Sequence, residues 1–298
     1  MLRKLPACCL AECLGTFLLV LFGCGAVHVA VLTGDLTGLW QVAIVWGIAI
    51  MLAIYVFGPI SGAHINPAIT IGLAAWGLFP RDRAIPYIGS QFLGAFAAAA
   101  ALFAMFHPWI AAKEEAKGIA RGAAGSEITA MCYGEYYPNP GAFAAGEEPL
   151  DLAKLEAARD RMPLLTAFMV EFLGTAVLAL VVLAVSEPKA NPSPGKLAPV
   201  FIGLTVTALV CILAPLTQAC FNPARDFGPR LFALLAGWGS VAFPGPNGIG
   251  VVVVYIVSPV VGSVAGMGLY RLVLHREVVP ETVERSARPM PTPERIAT

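Results

Sequence analysis

The chain has 298 residues, of which 58% are hydrophobic and only 13% charged, and its 19 basic and 19 acidic side chains cancel to no formal net charge. A mean hydropathy of +0.76 and 30 glycines fit a bundle of membrane helices better than a water-soluble core. The neutral balance excludes a basic stripe for nucleic acid or an acidic tail, and Cys13, Cys24, Cys211 and Cys220 in apolar segments, with Cys132 alone in a loop, argue against a disulfide framework.

Leu5-Pro6-Ala7-Cys8 superficially resembles a lipoprotein cleavage box, but no apolar region precedes it, so a cleaved signal peptide is rejected. Apolar runs follow at roughly Ala7 to Leu32, Leu39 to Pro59, Ala84 to Ile110, Pro163 to Val185, Leu197 to Leu216 and Ile249 to Leu274. Each is close to or above the ~20 residues a spanning helix needs, which predicts six spans with both termini on one side. Arg3, Lys4, Arg81, Arg83, Lys189, Lys196, Arg271 and Arg276 mark one face, whereas the Thr33 to Gly38 turn has no base. By the positive-inside rule both termini are expected in the cytoplasm of a multi-pass cell-membrane protein. The mixed-charge connection with Lys113, Lys117, Arg121, Glu114, Glu115, Glu147 and Glu148 then falls outside, as a weaker topological signal. One domain over 1–280 is expected, with repeat one at about 7–110, the external loop at about 111–162, repeat two at about 163–276, and a disordered cytoplasmic tail at 281–298.

Asn66-Pro67-Ala68 and Asn222-Pro223-Ala224 each follow a spanning run. Asn caps a helix start and proline suits its first position, so a short helix is predicted to begin at each tripeptide, at membrane depth. Broken helices are tolerated there only where they are buried in protein or line a polar cavity. The chain is also an internal duplication. Glu12-Cys13-Leu14-Gly15-Thr16 recurs as Glu171-Phe172-Leu173-Gly174-Thr175, and the small-residue pair Ser90 and Gly94 recurs as Ser258 and Gly262 on faces that let helices approach closely. Three spans per half is an odd number, so the copies are inverted. The two short helices enter from opposite faces, and their N-termini, with unpaired N–H groups and partial positive charge, meet near the midplane.

These features resemble the aquaporins, or major intrinsic proteins, over Glu12 to about Arg276. Ser61-Gly62-Ala63-His64-Ile65-Asn66-Pro67-Ala68 and Phe221-Asn222-Pro223-Ala224-Arg225-Asp226-Phe227-Gly228-Pro229-Arg230 look like the two signature loops of that family. Asp226, Arg230 and Tyr137-Pro138-Asn139-Pro140 are similar to its glycerol-conducting branch. The resemblance implies an all-α membrane protein of six transmembrane helices plus two re-entrant half-helices, a homotetramer in the lipid bilayer with one pore per subunit, and a channel without cofactor or metal. Its cargo would be glycerol, water and other small neutral solutes.

A polyol leaving water needs replacement partners, because an uncompensated hydroxyl in an apolar medium costs several kcal/mol. Asn66 and Asn222 can donate through their side-chain amides at the midplane, where the adjoining Pro67, Ala68, Pro223 and Ala224 also lie, while Gly62, Ala63, His64 and Ile65, and Ala219, Cys220 and Phe221, can present carbonyls in a ladder. The half-helix termini and Arg225 oppose cations and protons. Topology brings Trp46, Val210 and Arg225 to one level, and the resemblance implies that Ala219, three residues before Asn222, faces the same constriction, giving a filter with one bulky apolar wall, one cationic donor and two small walls. Glycerol facilitators usually carry an aromatic residue where Ala219 stands. The set here looks more like that of plant nodulin-26-like channels, which leaves open a broader solute or metalloid channel, or a mainly water-conducting one.

Blander roles exist for several of these residues. Trp46 could anchor at the interface. Glu12 and Glu171 could relay protons, but their symmetry favours scaffolding the two loops through backbone N–H groups. His64 could satisfy loop polarity or line the pore, Cys220 reads as an inert small hydrophobe, His28 as packing and Lys113 to Arg121 as a solvated loop. A secondary transporter would need a coupling-ion cluster beyond the two glutamates. An enzyme would need a nucleophile with its base or a metal cluster, and neither a His-Glu-Xaa-Xaa-His nor a Gly-Xaa-Ser-Xaa-Gly pattern occurs.

Overall fold

The computed structural model describes residues 4–146, 148–188 and 192–275. Arg3, Glu147, Lys189, Arg276 and the expected tail at 281–298 lie outside the described residues. Helices carry the architecture, and no strand forms among the described residues.

Among the described residues, six helices are long and apolar enough to cross a bilayer: Leu5–Thr33, Leu39–Ser61, Arg81–Ala116, Leu164–Ser186, Gly195–Thr217 and Gly250–Leu274. Hydrocarbon offers no partner to a backbone N–H or C=O, so each apolar run closes its own hydrogen bonds as helix. Between spans two and three, and again between five and six, sit the half-helices Pro67–Ala75 and Pro223–Ala233, each begun by the asparagine and proline that the sequence puts there. Span two stops at Gly62, whose φ of 91° turns the chain into the first loop without steric cost.

The two halves pack alike. Span one lies along span three, and span four along span six. A Cβ on Gly94 would stand 2.0 Å from the Cys13 carbonyl oxygen, and one on Gly262 would stand 2.4 Å from that of Phe172. The glycines carry this approach, while the serines differ: Ser258 donates across to the Phe168 carbonyl at 2.6 Å, but Ser90 bonds within its own helix to Pro86. Spans two and five join the halves, and a Cβ on Gly47 would reach within 2.8 Å of the Gly203 carbonyl oxygen.

Span three continues six residues beyond Ile110, which overturns the expectation of a solvated run from Lys113 to Arg121. Glu114 and Lys117 are buried. Arg121 pairs with Glu114 at 3.0 Å and its guanidinium lies 4.5 Å from the Trp238 ring, while Lys117 donates to the Ala145 carbonyl at 2.6 Å. Under the long loop Glu114 and Arg121 thus satisfy each other, and Lys117 finds a backbone carbonyl, as buried charged groups must have partners. That loop carries short helices at Glu127–Ala130, Gly141–Ala144 and Leu152–Arg159, and its stretch from Met131 to Tyr137 is buried against the bundle.

Candidate pore and constriction

The loops before the half-helices have matching backbones. Ala63 and Ile65 have φ of 47° and 45°, and Gln218, Ala219 and Phe221 have 62°, 57° and 53°. Left-handed conformations of residues with a Cβ cost about 1–3 kcal/mol each and persist only where surroundings impose them. Two buried glutamates do so. Glu12 accepts from the backbone N–H of His64 at 2.9 Å and of Ile65 at 2.7 Å, from the Ser61 hydroxyl at 2.6 Å and from Gln91 Nε2 at 2.7 Å. Glu171 accepts from the N–H of Cys220 at 3.0 Å and of Phe221 at 2.8 Å, and from the Thr217 hydroxyl at 2.6 Å. Ser61 and Thr217 stand in the same register five positions before each asparagine, a repeat of hydroxyl residues that is visible in the sequence.

The Glu-Xaa-Xaa-Gly-Thr repeat also acquires a physical reason. A Cβ on Gly15 would meet Ile65 Cγ2 at 2.8 Å, and one on Gly174 would meet Phe221 Cε1 at 2.1 Å. The glycine opens room for the residue before each asparagine. Thr16 and Thr175 return their hydroxyls to the Glu12 and Glu171 carbonyls of their own helices, at 2.8 and 2.7 Å.

Each asparagine does two things. Asn66 Oδ1 accepts from the Ala68 N–H at 2.8 Å, and Asn222 Oδ1 accepts from those of Ala224 at 3.0 Å and Arg225 at 3.3 Å. Their amide nitrogens cross between the loops: Asn66 Nδ2 donates to the Phe221 carbonyl and Asn222 Nδ2 to that of Ile65, both at 2.8 Å. An amide nitrogen has two protons, so one per asparagine is left for a solute. The Ile65 and Phe221 carbonyls, expected as rungs of the ladder, are each already engaged by one of these bonds. Pro67, Ala68, Pro223 and Ala224, expected at the pore midplane, are instead buried at the helix starts and line none of the three cavities along the path.

Three cavities lie in series. A wide one of about 470 Å³ on the long-loop side is lined by Val27, Val31, Lys113, Asn139 and Gln218 and ends on Trp46, Val210 and Arg225. Those three also line a middle cavity of about 40 Å³, where Ala219, Cys220, Phe221, Asn66 and Asn222 join them. Asn66 and Asn222 in turn line a third cavity of about 240 Å³ with Gly62, Ala63, His64 and Ile65, on the side of the chain ends. The four residues predicted as the filter therefore meet at the smallest of the three. His64 lines the third cavity, while its Nδ1 is 3.2 Å from the Thr70 hydroxyl and the ring lies edge-on to Phe79. Asn139, from the Tyr-Pro-Asn-Pro stretch, donates to the Ala214 carbonyl at 2.8 Å in the wall of the wide cavity.

Sequence reasoning missed two contributors. Gly23 of span one lies under Trp46, because a Cβ there would fall 2.2 Å from the indole carbons. Gly23→Ala is expected to push the ring toward the opening and lower glycerol flux at least several-fold, read on reconstituted protein matched for incorporation; unchanged flux would show that the ring position is not set there. The other is Glu135, a carboxylate within the buried, otherwise uncharged run from Met131 to Tyr137. It forms an ion pair with Arg225. The Arg225 guanidinium also lies 4.3 Å from the centre of the Trp46 ring, so it is held from two sides.

Asp226 and Arg230, read as branch markers, hold that arrangement. Arg230 pairs with Asp226 at 2.7 Å and donates to the carbonyls of Ala242, at 2.7 Å, and Glu135, while Asp226 accepts from the Glu135 N–H at 2.7 Å. They tie the long loop to the second half-helix. Trp46, Val210, Ala219 and Arg225 thus surround an opening with donors, small walls and one aromatic surface, a chemistry suited to a small neutral polyol.

The chain is similar to known proteins over nearly its whole length. The family model described as Major intrinsic protein matches residues 3–270. The chain is 38% identical over 269 residues to a glycerol uptake facilitator protein of Haemophilus influenzae, covering 90% of this chain and 94% of that one. It is 36% identical to the propanediol uptake facilitator PduF of Citrobacter freundii, covering 92% and 94%. Among solved structures, the aquaglyceroporin from Plasmodium falciparum superposes with a TM-score of 0.73 at 26% identity, covering 91% of this chain and 97% of that one.

Proposed function

Because the chain belongs to the major intrinsic protein family, we propose that it is a passive channel for glycerol and related small neutral solutes, propanediol and water among them, and that it excludes ions and protons. It is a multi-pass membrane channel and not an enzyme. The observation that carries the reading is the meeting of Trp46, Val210, Ala219 and Arg225 around the narrow middle cavity between two wide ones. A solute leaving the wide cavity exchanges water for the Arg225 guanidinium and the carbonyls of Ala219 and Cys220, sets its carbons against Val210 and the exposed part of Trp46, and then reaches the free amide protons of Asn66 and Asn222. Glu12 and Glu171 scaffold the two loops, and Asp226 and Arg230 fix the long loop. Both half-helix N-termini face the midplane and oppose cations.

The subunit works as one channel domain over 1–280 and assembles as a homotetramer with one pore in each copy. Lys4, Arg81, Arg83, Lys196 and Arg271 near the span ends support cytoplasmic termini, with the long loop outside. A second reading rests on Ala219. Its methyl leaves the filter without an aromatic second wall, which suits broader solutes such as urea or small hydroxylated metalloids. Stopped-flow light scattering on proteoliposomes separates the two. The first reading expects glycerol well ahead of urea and boric acid; near-equal rates for the three would favour the broader channel.

A further inference from the structure

The filter arginine is not a free charge. Arg225 and Glu135 are both almost completely buried, and no side-chain donor other than Arg225 reaches either Glu135 carboxylate oxygen among the described residues. Arg225 lines both the wide and the middle cavity, whereas Glu135 lines neither. The carboxylate therefore sits behind the guanidinium as seen from the solute path. Its backbone is pinned on both sides, the N–H on Asp226 and the carbonyl on Arg230. Asp226 and Arg230 pair with each other at 2.7 Å, so the second half-helix and the long loop join two cations and two carboxylates in one buried network, of which Arg225 alone lines the wide and middle cavities.

We propose that Glu135 is a positioning and selectivity-determining residue of the pore: the fixed counter-ion of Arg225, whose charge balances the filter so that neither anions nor cations find a net attraction there. The inference rests on the channel reading above and adds to it that exclusion of ions at this level comes from a balanced pair rather than from an arginine acting alone. Unit charges a few Å apart in a partly dry site interact strongly, so unbalancing the pair has a definite sign. Without Glu135 the constriction carries an uncompensated guanidinium and favours anions. Without Arg225 it carries an uncompensated carboxylate and favours cations. Without both it returns to neutrality.

The test uses full-length protein in liposomes, with ion selectivity read from dilution potentials in a potassium chloride gradient and glycerol flux read in the same vesicles. Glu135→Gln is expected to raise chloride leak, and Arg225→Ala potassium leak, each on the order of tenfold over wild type. The double variant is expected to lie near wild type for both ions. Wild-type ion exclusion in Glu135→Gln, or a double variant as leaky to potassium as Arg225→Ala, would overturn the proposal. If Glu135→Gln alone fails to incorporate, an ion-tight, incorporated double variant still supports charge balance, and failure of both shows that Glu135 acts otherwise. Absence of glycerol flux in wild-type vesicles would defeat the channel reading instead, whatever the ion measurements give.

Discussion

Replacing Glu171 by leucine is expected to abolish the folded channel. The carboxylate is the acceptor for the N–H groups of Cys220 and Phe221 and for the Thr217 hydroxyl, all buried. Leaving each without a partner costs about 1–3 kcal/mol, and the total is comparable to the whole stability of an ordinary domain. The left-handed turn at Ala219 and Phe221 then loses what imposes it, and the filter loses one wall. The check is detergent size-exclusion profile together with glycerol flux, expected at the level of protein-free liposomes. Glu171→Gln retains an acceptor oxygen and should fall between leucine and wild type. Wild-type flux from the leucine variant would remove Glu171 from the account of the loop.

Val210→His should cut glycerol flux by about tenfold or more while water flux survives. Val210 lines both the wide and the middle cavity and is 5% exposed, so added bulk at this position enters the narrow opening. Misfit of this kind is worth about 1–3 kcal/mol against the excluded solute. Water is smaller and needs only donors and acceptors, which imidazole supplies. Glycerol also loses an apolar surface for its carbons. Both rates should be taken from one preparation, and if neither moves, Val210 does not line the constriction.

The six spans and the two half-helices were legible because their signals are strong and local: long apolar runs, and an asparagine followed by proline, twice. Inversion followed from counting spans. Trp46, Val210 and Arg225 could be named together because topology fixes which segments share a level, whereas Ala219 came from the family resemblance. What stayed hidden depends on contacts between segments far apart in sequence. Glu135 lies in a loop whose mixed flanking charges suggest solvent, and only the packed structure turns it toward Arg225. The same holds for Lys117 and Glu114, which pack inward because the long loop folds back over the bundle. Gly23 was silent because a glycine in a membrane helix is common, and its meaning comes from the Trp46 ring lying on it. The cross-loop bonds of Asn66 and Asn222 needed the two inverted copies to be seen together.

The central claim is that this chain forms a passive pore for a small neutral polyol. It is tested most directly by the initial rate of glycerol entry into proteoliposomes as external glycerol is raised, with and without an imposed proton gradient. The account predicts a rate well above that of protein-free vesicles, proportional to the glycerol gradient over the accessible range and indifferent to the proton gradient. A rate that saturates at low concentration and rises when protons are supplied, or one no faster than bare lipid, would contradict it.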